Sequence, residues 1–415
     1  MNTILALPIE LRLIVLFALG ACVGSLANWA AYSLCYFNPR PVSPWSRGYP
    51  RSGMALWLDR IPLFGWLRER PQGKAFAEVG WLRPFIVELL VGLGFAGLYI
   101  WEIERLSTSF LPPGAKADTG LLVVLHTQYL AHVILLGLMF AVSLIDLDEK
   151  TIPDELTIPG TLIGLAFAAI TAQAGLLDIT FVAPTGTIPH GLHTVSPNEW
   201  WRDFDGPLGL LLGVLVIVAW CAALLPRTWY NRHGWRRAVQ LCWARIMREP
   251  VTWRITAMGS IVVAAVTWVW SVGGDSWQAL LSAIVGLAVG GATVWAIRVM
   301  GSLALGREAM GFGDVILLAM VGAYLGWQPV LFAFFLAPFG GLVMGLFNYF
   351  ARGEHDLPYG PFLCSGAALS VVFWQPIWIW ARPVFEFNLL VPGALAVCLV
   401  LCGLLLRVMR ILRGN

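Results

Sequence analysis

Runs of about twenty apolar residues recur along the whole chain, and no other feature constrains its fold as much. A helix crossing a bilayer needs about 20 mostly apolar residues, with its backbone polar groups bonded internally. Eleven such runs are predicted as spans: 11–34, 84–103, 123–145, 156–175, 208–225, 255–272, 278–300, 315–330, 331–350, 360–381 and 388–406. The boundary between 315–330 and 331–350 is the least sharp, resting only on Gly326-Trp327-Gln328-Pro329. The run 11–34 is longer than a signal-peptide core and is read as a retained first span. Charged residues make up 12% of the 415 and hydrophobic ones 58%, with mean hydropathy +0.75. Such a chain cannot cover a globular surface, where about a quarter of residues are charged. The expected fold class is all-α, a polytopic integral membrane helix bundle of about 11 transmembrane helices. A secreted disulfide scaffold, a disordered protein and a soluble nucleic-acid binder are excluded.

Arginine and lysine set the orientation. Loop 36–82 carries Arg40, Arg47, Arg51, Arg60, Arg68, Arg70 and Lys74. Loop 226–254 carries Arg227, Arg232, Arg236, Arg237, Arg245, Arg248 and Arg254, and the tail Arg407, Arg410 and Arg413. Loop 104–122 has Arg105 and Lys116, and loop 176–207 only Arg202. Alternate threading puts every basic-rich segment on one side, with the amino terminus outside and the carboxyl terminus in the cytoplasm. Many of the 21 tryptophans fall at span ends, as interfacial anchors do.

Cys22, Cys35, Cys221, Cys242, Cys364, Cys398 and Cys402 form no C-x-x-C pair and read as small buried hydrophobes. His126, His132, His190 and His193 read as structural, and no cluster has metal-ligand spacing, so no metal is expected.

Two acids stand at membrane-edge positions on the cytoplasmic side. Asp146 follows an apolar run without a spacer, in Ser143-Leu144-Ile145-Asp146-Leu147-Asp148-Glu149. Asp314 opens a span after Gly311-Phe312-Gly313, where glycine permits a close backbone approach. Ionisable groups at that depth are costly and mark function. Each also has a plainer reading: Asp146, Asp148 and Glu149 as a solvated helix stop, Asp314 as a helix cap. Brought together, two carboxylates cannot both ionise cheaply, so one holds a proton while the other acts as base. Such a pair can activate water and protonate a departing amine, hydrolysing a peptide bond.

At these residues the sequence resembles the bacterial type IV prepilin leader peptidases, membrane aspartyl proteases with a G-x-G-D motif. The matching segments are Gly24-Ser25-Leu26-Ala27-Asn28, Leu58-Asp59-Arg60-Ile61-Pro62, Arg83-Pro84-Phe85-Ile86-Val87-Glu88-Leu89-Leu90, Ile145-Asp146-Leu147-Asp148 through Pro153-Asp154, Gly311-Phe312-Gly313-Asp314, and Leu357-Pro358-Tyr359-Gly360-Pro361-Phe362. The resemblance implies Asp146 and Asp314 as the catalytic pair, Asp148 and Asp154 as supporting or structural, and Gly311 and Gly313 as positioning Asp314. It implies cleavage of the basic leader of a type IV prepilin or type II secretion pseudopilin at the cytoplasmic face of the bacterial inner membrane. Partners are then the prepilin or pseudopilin substrate and membrane lipid, with no nucleic acid. Many members also methylate the new amino terminus from S-adenosylmethionine; proteolysis itself needs no cofactor.

Two departures stand out. Loop 36–82 has no cysteine, with Ser43-Pro44-Trp45-Ser46 where the family's first zinc-binding pair is expected, so retention of methyl transfer is open. The region after the fourth span is expanded by an even number of crossings, which keeps Asp314 cytoplasmic. The organisation expected is a first span, 1–35; a cytoplasmic loop, 36–82; spans two to four with the first catalytic aspartate, 83–175; an insertion of outer loop, two spans and basic loop, 176–277; and spans seven to eleven with the G-x-G-D motif, 278–415. The alternatives are a divergent relative acting on another small membrane substrate, and a non-enzymatic transporter or scaffold, with Glu88 as an ambiguous intramembrane charge.

Overall fold

The computed structural model describes residues 7–34, 43–47, 49, 52–69, 81–105, 119–172, 175–183, 186–226, 235–306, 310–351, 358–387 and 390–412. Arg40, Arg51, Arg70, Lys74, Lys116, Arg227, Arg232, Arg413, Cys35, Leu357 and the side chain of Cys242 lie outside them. The helices are α1 Ile9–Ser33, α2 Gly53–Asp59, α3 Phe64–Glu69, α4 Leu82–Tyr99, α5 Thr119–Glu149, α6 Asp154–Ile170, α7 Pro207–Leu224, α8 Trp235–Arg248, α9 Pro250–Val272, α10 Gly274–Leu305, α11 Phe312–Leu325, α12 Trp327–Ala351, α13 Gly360–Val372, α14 Trp374–Phe385 and α15 Leu390–Leu412. The protein is an all-α polytopic bundle. Among the described residues six helices are long and apolar enough to cross a membrane, or seven if the bent pair α13–α14 is one span. The six are α1, α4 with its extension to Arg105, α5, α7, α9 and α10.

Three segments depart from the expected spans. The run 360–381 breaks into α13 and α14, bent by 89°. Pro376 has no N–H to offer the Val372 carbonyl four residues back. That carbonyl instead accepts the indole N–H of Trp101 at 2.8 Å. The run 315–330 ends at Leu325, where Gly326 turns at φ +86°. The loop between α6 and α7 contains an antiparallel hairpin, β1 Leu177–Ala183 with β2 Gly186–Gly191, which hydropathy did not signal.

At 14 residues α11 is roughly 21 Å long, shorter than a bilayer core. It is buried along its whole length from Asp314 to Leu325, as a helix apolar on every face must be. Its Leu317, Leu318, Met320 and Val321 join one apolar core with α5, α12, α13 and α14. Ala319 and Ala323 face a second core built with α6, α7, α9 and α10. Without lipid-excluded water to drive association, membrane helices pack through small residues. Here Gly286 meets Gly322 and Gly290 meets the Leu318 carbonyl, so closely that a Cβ on any of these glycines would strike backbone.

Indoles tie the connections around 177–205 down. Trp277 and Trp270 donate to the carbonyls of Phe204 and Asp205, Trp327 to Thr194 and Trp374 to Leu177, at 2.7–2.9 Å. An indole gives a buried carbonyl a donor while its ring stays in apolar surroundings. Cys221 and Cys364 are buried, but Cys22, Cys398 and Cys402 are exposed, which corrects the uniform burial expected for cysteine. The last three lie on α1 and α15, helices that expose apolar residues along much of their surface. His132 lies buried against Glu102, with Nδ1 and Oε1 2.7 Å apart, in keeping with a structural role.

Candidate active site

The helix carrying Asp146 is stopped just beyond it. Lys150 takes φ +54°, and its N–H bonds the Asp146 carbonyl at 2.8 Å, closing α5. Pro153 then keeps Ile152 out of the helical region and precedes α6. Ile152 is thereby held as a free wedge between helix ends. A Cβ on Gly313 would lie 2.7 Å from its Cβ, and one on Gly360 would lie 3.3 Å from its Cδ1.

Both membrane-edge acids are buried, Asp146 at 5% exposure and Asp314 at 8%. Each meets a backbone N–H at a helix start, where the first turn has donors without intrahelical partners. Gly360 opens α13 and donates to Asp146 Oδ2 at 3.0 Å. Gly311 is the N-cap of α11, and its N–H meets the carboxyl of Asp314 three residues on. That is the reach-back half of a capping box, and the N-terminal helix dipole favours a carboxylate there. Asp314 thus does cap its helix. It also lies close enough to Asp146 for the two charges to interact. Tyr359, just before α13, lies within reach of the Asp314 charge, and Cys364, one turn into α13, within reach of both acids. Arg298 of α10 holds the approach to the glycines, bonding the Met310 carbonyl at 3.0 Å with its guanidinium 5.6 Å from the Phe312 ring centre.

Asp148 and Asp154 are not drawn into this meeting point. Asp148 pairs with Arg83 at 2.7 Å and ties the end of α5 to the start of α4. Asp154 is exposed in the first turn of α6, where an acid complements the helix dipole. Among the described residues no three His, Cys, Asp or Glu side chains gather as a metal set. Residues 307–309 lie outside the described part.

Another buried acid organises the amino-terminal third. Glu88 of α4, 1% exposed, accepts from Leu63 N–H at 2.5 Å, from Trp66 Nε1 at 2.8 Å and from Asn28 Nδ2 at 3.5 Å. The Leu63 donation is made from a left-handed residue, φ +64°, at the turn between α2 and α3. Glu88 therefore fastens the loop between α1 and α4 to both helices. Beside it Arg68 pairs with Asp59 at 3.1 Å, and Arg60 stacks on Trp45 at 4.7 Å while bonding the Pro44 carbonyl at 3.2 Å. Ser43-Pro44-Trp45-Ser46 is thus held by hydrogen bonds and a cation–π contact.

Sequence reasoning did not single out Ile152, Arg298 or the backbone of Gly360. The signals available were Pro153 after Ile152, and Pro361 just inside α13, which marks a helix start and hence orphan donors.

Residues 133–188 and 246–346, which carry the two aspartates, match the type IV leader peptidase family. Relatives named prepilin leader peptidase/N-methyltransferase include one from Burkholderia pseudomallei, 34% identical over 25% of this chain and 35% of the relative. One from Pseudomonas putida is 30% identical over 28% of this chain and 39% of the relative. One from Myxococcus xanthus is 29% identical over 41% and 44%. The chain spans about a third to less than half of the length of these curated relatives. No solved structure matches it. In the segments that hold Asp146 and Asp314, the chain is similar to the type IV leader peptidase family.

Proposed function

We propose that this protein is a membrane-embedded aspartyl endopeptidase, with Asp146 and Asp314 as its catalytic pair. Its substrate is the basic leader of a type IV prepilin or type II secretion pseudopilin, cut at the cytoplasmic membrane face. The observation that carries the reading is the meeting of two buried acids, one ending α5 and one beginning α11, within reach of each other's charge. One carboxylate takes a proton from water, whose oxygen attacks the scissile carbonyl. The other, protonated, gives its proton to the departing amine, and the pair titrates as a unit. Gly311 and Gly313 leave room for the loop before Asp314, while Asp148 and Asp154 support the helix ends. The domain organisation given by the sequence fits this reading, with the insertion 176–277 outside the acid pair.

The names of the relatives include methyl transfer. Of the acids described around the first loop, Asp59 is engaged by Arg68 and Tyr49, and Glu88 by Leu63, Trp66 and Asn28. Both acids hold the loop in place, and methyl transfer from S-adenosylmethionine rests on the names of the relatives.

The test is cleavage of a prepilin by membranes holding Asp146→Asn or Asp314→Asn protein. Loss of a general acid or base costs about 10²- to 10⁴-fold, and the double variant should be little worse than either single one. Full cleavage by Asp314→Asn in protein that inserts normally would end the aspartyl-protease reading.

A further inference from the structure

Helix α8, Trp235–Arg248, belongs to the insertion and lies mostly outside the segments that match the family. The loop that contains it, 226–254, has seven arginines against one acid, Glu249. Within α8, Val239, Trp243 and Ile246 recur at i, i+4 and i+7 and so share one face, while Arg245 and Arg248 point to the other. Most of the apolar face is uncovered: Val239 is 45% exposed and Trp243 62%, with Ile246 half-buried. Arg245 reaches Glu249 at 3.6 Å, an exposed pair that neutralises little of the charge.

The helix is also separate from the span that follows. Pro250 pushes Glu249 to an extended conformation, φ −76° and ψ 126°, and α9 starts afresh. From its first turn α9 exposes Val251, Trp253 and Arg254, and further along Ile261 and Trp268, the surface of a lipid-facing span with an interfacial start. The uncovered face of α8 is therefore continuous in sequence with a surface that meets lipid.

We propose that α8 lies in the membrane interface and docks on anionic phospholipid headgroups, with Arg245 and Arg248 taking phosphates and Val239, Trp243 and Ile246 entering the acyl boundary. A basic amphipathic helix with a tryptophan on its apolar face has this chemistry. Guanidinium binds phosphate through two parallel hydrogen bonds, which favours phospholipid over a zwitterionic surface. The inference rests on the loop flanking the membrane and is independent of the catalytic reading.

The test uses the full chain, with native cysteines replaced, carrying a nitroxide at Trp243→Cys or at Leu241→Cys on the opposite side of the helix. The protein is reconstituted in phosphatidylcholine bilayers with or without about one third phosphatidylglycerol. Position 243 should be reached by oxygen and shielded from a water-soluble nickel chelate in the anionic bilayer, while 241 stays open to the chelate. Each arginine near an anionic surface is worth roughly fivefold in affinity. Arg245→Gln with Arg248→Gln should therefore weaken phosphatidylglycerol retention by on the order of tenfold or more, and prepilin cleavage reports separately on the acid pair. Equal exposure of 243 and 241 to water in both bilayers would overturn the proposal and leave the face for a protein partner. Unchanged phosphatidylglycerol retention in the double variant would overturn it as well.

Discussion

The backbone N–H of Gly360 donates to the Oδ2 of Asp146 at 3.0 Å, joining positions 214 residues apart. The donor is one of the unpaired groups of a helix start, and the acceptor is a buried carboxylate with few other partners in reach. Burying such a group is costly unless a hydrogen bond replaces the water it loses. The bond therefore decides where the end of α5 can sit relative to α13.

Gly360→Ala is the sharpest probe of that relationship. The added Cβ would lie 2.5 Å from Asp146 Oδ2, and Ile152 blocks the other side at 3.3 Å. The carboxylate must move, and a displacement near 1 Å costs about 10²-fold in rate. Prepilin cleavage by this variant should drop by that order, while Gly393→Ala, which meets nothing within 4 Å, should cleave normally.

Asp148→Asn separates support from chemistry. Its pair with Arg83 is partly exposed, with side chains 21% and 34% accessible, so its loss should cost less than about 1 kcal/mol. The variant should keep measurable cleavage in the same assay that the acid-pair variants fail.

Glu88→Ala should loosen the loop between α1 and α4. Three donors, from Leu63, Trp66 and Asn28, would lose their acceptor, at about 1–3 kcal/mol for each one left buried and unpaired. Trypsin should then cut at Arg60 or Arg68 at least about tenfold faster than in the parent protein, since proteolysis follows the open population. An unchanged cutting rate would show that the network does not hold the loop.

The loop between α6 and α7 should weaken on acidification. Burial lowers the pKa of His193 below its ordinary value of 6.5 and His190 lowers it further, while Asp178 opposes both. The folded loop thus favours the neutral ring, and protonation favours the open loop. Stability from this group is complete above pH 6.5 and falls as pH drops toward the depressed value. Hydrogen-exchange protection of residues 193–201, corrected for intrinsic rates, should be lower at pH 5 than at pH 7.5, and His193→Phe should flatten the difference.

Sidedness can be read by labelling introduced cysteines. Positions in 36–82 and 226–254 should react only after the inner membrane is permeabilised, and positions in 176–207 once the outer membrane is breached. Labelling of 226–254 from outside would put Asp146 and Asp314 on opposite faces.

Hydropathy and charge alone determined that this chain is a membrane bundle and that both aspartates stand at helix ends. Those properties are written locally, in windows of about twenty residues and in the arginines beside them. The same windows carried no sign of which helix each span would touch. Lipid tails are as apolar as leucine, so apolarity does not choose a neighbour; close approach of small residues and polar contacts does. Only the tertiary structure therefore decided that the short α11 is central, that Ile152 wedges between Gly313 and Gly360, and that Glu88 fastens the first loop. The break between Val372 and Trp374 has the same origin. Pro376 was visible in the sequence, but the carbonyl it frees could leave the helix because Trp101, 271 positions away, supplies the missing hydrogen bond.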